Sequence, residues 1–533
     1  MTKRKPVQAK KATPQPAAAR KPAKPRRRLA DRLPAWTPYA LLFILGWIFC
    51  SAIYGPMFER ASRMSFFAFD ETLMRFLTDK PGGYLLAFGR WMLLLFKYPW
   101  AGGLLLSLML TATVALLDYA LRLPARWRWT TQLLPAAVLA YLVGLGLNLF
   151  FKGEPGLTFL LPAMTLLVGV VAALVRFAVG RKGATPAVRS LTASVSPVLL
   201  FAALTAYALC GRTNELAIAR MQNLMDHEDW DGMIDTAQGV DRPARGVAAY
   251  YAIALVQTDQ LLDKLFDIYY QYPRLDVDYF DTEKSAEYDY YVPDCSLYGG
   301  LLNTAYHHTM EQMVHDGPSL AHLERMVKCA VINKEPALAR KYLHILSKVP
   351  FEQAFVDKYA PMAADAKRVA ADPVLARIGQ LIPVRNTFEQ NFQSPVFIDY
   401  YVNIMQGRSM QALTLSYAAC LYTKKMPNLL MRTDAMRNQS LPAAVEQAVA
   451  LEGLKNERLL RHYPRLNPLN VERTKAFLET MQYYYQGDRL QAYDKLKENW
   501  AGFYPLYYFL ENIPDDKLKP QHEGYQAEKG GVN

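Results

Sequence analysis

His308, Glu311 and His315 fall at i, i+3 and i+7, so one helix would carry all three on a single face. Imidazole nitrogens and a carboxylate are donors that hold zinc, and His322 could supply a fourth. The spacing is not that of H-E-x-x-H, and Glu311 is not placed as the base of that motif, so a solvated helix face is the plainer expectation. Asp70 and Glu71 form a second group, with Arg75 and Arg90 downstream. A carboxylate there could deprotonate an acceptor hydroxyl while an arginine held a lipid phosphate. The plainer expectation is an interfacial helix whose charges face headgroups. A third group is the run Asp276, Asp278, Asp281, Glu283, Glu287 and Asp289. Glu287 would be twelfth in a calcium loop starting at Asp276. However, Phe280 replaces the fifth-position oxygen ligand and Asp281 the sixth-position glycine. An irregular loop is expected, with Tyr279, Tyr288, Tyr290 and Tyr291 available for partner contact.

Two unlike halves must position these groups. Long apolar stretches crowd residues 36–210, and polar, helix-patterned sequence follows. A helix needs about 20 apolar residues to cross the hydrocarbon layer, a length met by 36–54, 101–121, 131–151, 156–179 and 191–210. The stretch 82–96 is short and carries Arg90 near its centre, where mid-membrane placement costs roughly 2.5–3.5 kcal/mol. Asp118, near the end of the second stretch, is expected to snorkel or to pair with Arg122 four residues on.

Charge sets the orientation. Residues 1–210 hold 26 Lys+Arg against 7 Asp+Glu, and the remainder 35 against 41. The sequence pI of about 9.2 therefore belongs to the first half and is no sign of nucleic-acid binding. With the basic N-terminus inside, five crossings place Arg122, Arg126 and Arg128 inside, together with Arg181, Lys182 and Arg189. Six crossings put both basic loops on the wrong face. The expected organisation is a disordered basic cytoplasmic tail (1–33) and a transmembrane domain (34–212) with five spans and a re-entrant or interfacial segment (82–98). A helical-repeat domain (213–512) and a flexible tail (513–533) follow. The repeat domain would lie outside the cytoplasm, in the periplasm of a bacterium. The five cysteines contain no C-x-x-C pair, and no phosphate loop, dinucleotide fingerprint or nucleophile elbow occurs, so no cofactor is expected.

Within 213–512 apolar residues recur every three or four positions, and turn residues punctuate them. Tyr483, Gly487, Ala492 and Leu496 match the spacing around a tetratricopeptide turn. Gly407, Ala412 and Ala419 repeat the glycine-to-alanine step, and Lys334, Ala339 and Leu343 repeat it with the glycine lost. Trp230 with Ala237 is a further, degenerate copy. Small residues let two helices approach, and bulky ones fill the gap to the next pair. The expected fold class is all-α, a polytopic transmembrane helical domain followed by an α-solenoid.

Several stretches together resemble a known family: 66–100, with Pro81, Gly82 and Gly83 and with Tyr98, Pro99 and Trp100; the Trp230 repeat; 252–255 with Leu265 and Phe266; and 339–343. The chain is similar to uncharacterised bacterial inner-membrane proteins that join a polytopic half to a degenerate tetratricopeptide-like half. The resemblance covers most of residues 36–510 and implies architecture only, with no catalytic residues to carry over. The expected function is a membrane-anchored scaffold or adaptor that contacts the lipid bilayer, docks envelope proteins and binds no nucleic acid. The rival is a glycosyltransferase-like enzyme acting on a lipid-linked substrate at the outer leaflet, with Asp70 or Glu71 as general base.

Overall fold

The computed structural model describes residues 34–151, 153–179, 191–270, 285–383, 409–485 and 488–511. Every element there is helical, and no strand occurs among the described residues. Outside them lie the basic tail, Lys152, Arg181, Lys182, Arg189, Gly407, Gly487 and residues 513–533, as do the side chains of the acidic run.

Helix α1 (Thr37–Ile48) runs on through a π turn (Phe49–Ile53) and bends by 60° at Tyr54 into α2 (Gly55–Arg63). Helix α3 (Glu71–Thr78) starts on Asp70, whose carboxylate accepts from the Thr72 and Leu73 amides at 3.0 and 3.3 Å. That is ordinary N-cap work. Gly82, at φ +75°, turns the chain into α4 (Gly83–Leu93). Its 11 residues rise about 16 Å, half of a hydrocarbon core of about 30 Å. Next come α5 (Pro99–Leu121), α6 (Leu133–Leu145), α7 (Asn148–Phe151), α8 (Leu157–Ala178) and α9 (Leu191–Gly211). By length and composition α5, α8 and α9 could cross a membrane, and the bent pair of α1 and α2 makes a fourth.

The stretch 131–151 is not one helix. It breaks at Gly146, which has φ +53°, and resumes as the single turn α7. Arg212 and Glu215 supply what the break leaves open. They pair at 2.5 Å, Glu215 accepts the Leu147 amide at 2.8 Å, and Arg212 donates to the Gly144 carbonyl. Among apolar helices such a break persists only where its backbone groups find partners. Asp118 also departs from expectation. It pairs with Arg128 at 3.6 Å and accepts from Tyr39 and Thr131, both at 2.8 Å. Arg122 ends α5 at φ +46°, where the i, i+4 geometry stops.

In the second half α10 (Thr213–Asp226), α11 (Trp230–Gln238), α12 (Arg245–Gln257) and α13 (Leu261–Lys264) are followed by α14 (Ser285–Tyr298), α15 (Leu302–Asp316), α16 (Leu320–Ile332) and α17 (Pro336–Leu346). Helices adjacent in the chain pack against each other within 213–264 and within 285–346. One turn is used five times among the described residues, once on Gly300 (φ +81°, the Leu301 amide reaching the Ser296 carbonyl at 2.8 Å) and four times without glycine. Glu228, Asp259, Lys334 and Lys424 sit at φ 57–60°. The next amide in each case reaches back five residues, at 2.8–3.0 Å, to Leu224, Leu255, Ala330 or Cys420. This is the six-to-one bond of a helix closed by a left-handed residue. Glycine is the usual occupant and none of the four has it, so only Lys334 stood out in the sequence.

The small positions are buried. Ala237, Ala339, Ala419 and Ala492 are fully enclosed, and Ala412, Leu343 and Leu496 nearly so. Trp230 packs edge-on against Tyr298 with centroids 5.6 Å apart. Tyr483 is the exception at 75% exposed. The buried face of the helix Pro468–Tyr484 runs through Thr474 and Phe477, and six residues past Phe477 lies about 120° around the axis. Near the C-terminus, Tyr504 and Tyr507 pack on Phe266, and the Glu511 carboxylate accepts the Tyr270 amide at 2.8 Å. Burial pushes Glu511 up to about 8 and pulls nearby Lys424 down to about 7. One continuous core joins both halves, from Tyr54 and Phe58 through Met221 to Leu323 and Met326.

Candidate functional site

Two polar assemblies occupy the junction of the halves. The first begins on α2, which presents Arg60 and Arg63 one turn apart. Arg60 is 1% exposed and meets Asp226 of α10 at 3.0 Å. Arg63 reaches Asp226 at 3.1 Å, Glu324 of α16, and Glu352 at 3.6 Å. Lys97 completes the set by meeting Glu352 at 3.1 Å. Backbone contacts reinforce it: the Leu320 amide donates to Ser65, and Asn223 donates to Pro56, at 3.0 and 2.9 Å. Against the carboxyl's own burial, Arg63 and Arg60 hold Asp226 below its ordinary range. Burial pushes Glu324 up to about 7 despite Arg63 beside it. A buried arrangement of this kind tolerates no missing member.

The second assembly is a cavity of 1090 Å³. Arg90 of α4, the turn holding Phe150, Phe151, Gly153 and Pro155, and residues of α14–α16 line it. Arg90 is held by Glu154 through two bonds, at 2.7 and 2.8 Å, and lies over the Phe76 ring. It is therefore committed to a carboxylate rather than spare for a phosphate. Asp70 and Glu71 do not line this cavity, and the Asp70 carboxylate is occupied as the cap of α3.

His307, His308, Glu311, His315 and His322 all do line it. Donor atoms of His307, His308 and Glu311 lie within 4.8 Å of one another, the one such group of three among the described residues. Glu311 stands 3.3 Å from His307 Nε2 and 3.6 Å from His308 Nδ1. His315 is not part of that group. Seven residues from His308 means a rise of about 10 Å, and His315 instead meets Asp316 at 2.9 Å on the surface. His322 is 4% exposed, with the Gly317 backbone as the hydrogen-bonding group beside its ring. Burial, then Arg325 and Arg60, pull His322 down to about 3, although the nearby Gly317 backbone opposes this slightly. Burial also lowers His308. Both imidazoles are thus neutral near pH 7, the form that ligates metals.

Sequence reasoning had passed over Arg60, Arg63, Asp226, Glu324, Glu352 and His307. The doublet of His307 with His308 was a usable signal. The arginines gave none, because their partners Asp226 and Glu324 lie 163 to 261 residues away. A family model described as a family of unknown function matches residues 33–210 and 147–511. No curated protein matches the chain, and no solved structure does.

Proposed function

The chain belongs to that family, DUF6057, and we propose that it works as a membrane-anchored scaffold or adaptor. In this reading it is a multi-pass protein of a bacterial inner membrane with its N-terminus in the cytoplasm. Its tetratricopeptide-like half presents a docking surface to envelope proteins in the periplasm. The observation that carries this reading is the ion cluster of Arg60 and Arg63 with Asp226, Glu324 and Glu352. It holds the helical half at a set orientation to α2, which a surface that docks partners beside a bilayer requires. Anchoring is supported by α5, α8 and α9, and by the apolar surface that α8 leaves exposed at Leu167, Val171, Leu174 and Val175. The repeated turns and enclosed alanines support the solenoid-like character.

The test is a pair of reporters, active only in the periplasm or only in the cytoplasm, fused after Asn533. Periplasmic activity is expected. Cytoplasmic activity would overturn the orientation and imply that 82–96 crosses as well. Photocrosslinkers at exposed Met431 and Tyr483 are then expected to trap a discrete envelope protein; none trapped at either position would remove the scaffold reading.

The cavity keeps a second reading open, an enzyme acting on a lipid-linked substrate at the outer leaflet. Its earlier candidates, Asp70 and Glu71, lie away from the cavity lining. Loss of cellular function in a normally abundant protein carrying both Asp70→Ala and Glu71→Ala would favour it over the scaffold.

A further inference from the structure

We propose that His307, His308 and Glu311 bind a divalent transition metal of the zinc class, with an open coordination position facing the junction cavity. The inference does not depend on the scaffold reading or on where the membrane lies. Glu311 is one turn past both histidines, at i+4 and i+3, the two spacings that are neighbours on a helix surface. Ligands about 2.0–2.2 Å from a tetrahedral zinc stand about 3.3–3.6 Å from each other. Glu311 Oε1 stands 3.3 Å from His307 Nε2 and its Oε2 stands 3.6 Å from His308 Nδ1, while one donor atom from each of the three residues lies within 4.8 Å of the others. Side-chain rotation would bring the three donors onto one ion.

Two neutral imidazoles and one carboxylate around a divalent ion leave a net charge of +1. The open position would then take water or an anionic oxygen. Three protein ligands with a fourth position free is the pattern of reactive zinc sites, whereas structural sites are closed by four.

The cavity that the open position would face is also lined by His322, 4% exposed and outside the group of three.

The experiment uses the full chain, purified in detergent, stripped with a chelator and titrated with Co²⁺, then with Zn²⁺ as competitor. One Co²⁺ per chain is expected, with the visible absorption of a four-coordinate ion, displaced by Zn²⁺. His307→Ala and Glu311→Ala remove side chains 40% and 52% exposed, so folding should survive, and an unchanged melting temperature would verify it. Each should weaken binding by more than the roughly 10–100-fold typical of losing an outer-sphere partner. His315→Ala, at a side chain 88% exposed, should leave binding unchanged. Absence of saturable binding at micromolar metal would overturn the proposal. So would full affinity retained in both His307→Ala and Glu311→Ala.

Discussion

The ion cluster around Arg60 and the histidine-lined cavity are both built partly on α16, and they follow opposite logic. In the cluster the side chains are closed off, at 1% exposure for Arg60, 7% for Glu324 and 4% for Glu352, and each charge faces an opposite one. In the cavity His307 and Glu311 stay substantially open beside a large volume. The contrast teaches how to tell a fastening from a binding site. Buried charges that face one another serve the fold. Polar groups that line an open volume are available to a ligand.

Breaking the cluster should have the largest effect. Arg63→Ala strips Asp226, Glu324 and Glu352 of a shared cation and is expected to cost about 3–5 kcal/mol. A lower melting temperature and faster proteolysis of the helical half would report it. Glu311→Ala should fall within about 0.5 kcal/mol of the parent protein. Similar losses at both positions would dissolve the distinction.

A pH series sharpens it at a site where buried charge is incompletely matched. The folded pKa of Glu511 is raised from an ordinary 4.5 to about 8. Its stabilising contribution is therefore fully present below pH 4.5 and is lost as pH rises through about 8. Glu511→Gln does not titrate. Its melting temperature relative to the parent should rise between pH 5 and 8, by at most about 1.4 kcal/mol of stability per unit, and then level off. A pH-independent difference would mean Glu511 is ionised at ordinary cost.

The smallest effects separate enclosed positions from exposed ones. Ala492→Leu overfills a site of 0% exposure and should cost about 1–3 kcal/mol. Tyr483→Ala, at an exposed ring, should stay within about 0.5 kcal/mol. Denaturant midpoints of the two variants compare them directly.

Legibility was uneven for definite reasons. The enclosed alanines at 237, 339, 419 and 492 could be read because close helix approach demands small residues at fixed spacing. Tyr483 misled because a spacing match ignored which face Phe477 turns inward. The histidines were correctly grouped on one helix but joined to the wrong third member, since i+7 shares a face without sharing a point. Asp70 looked like a base because an N-cap carboxylate and a catalytic one have the same chemistry, and only the Thr72 and Leu73 amides distinguish them.

Local pattern alone was enough for the all-helical class and for the positions where small side chains are enclosed. Each of these follows from period, hydropathy and side-chain size, which act over one or two turns of chain. Only the tertiary structure decided the break at Gly146, the pairing of Arg90 with Glu154, the partners of Arg60 and Arg63, and the choice of His307 over His315. The first three depend on groups 64 to 261 residues apart, and the last on where donor atoms point in space. Local patterning carries no term for either, because burial makes a charge costly without saying which distant group will match it.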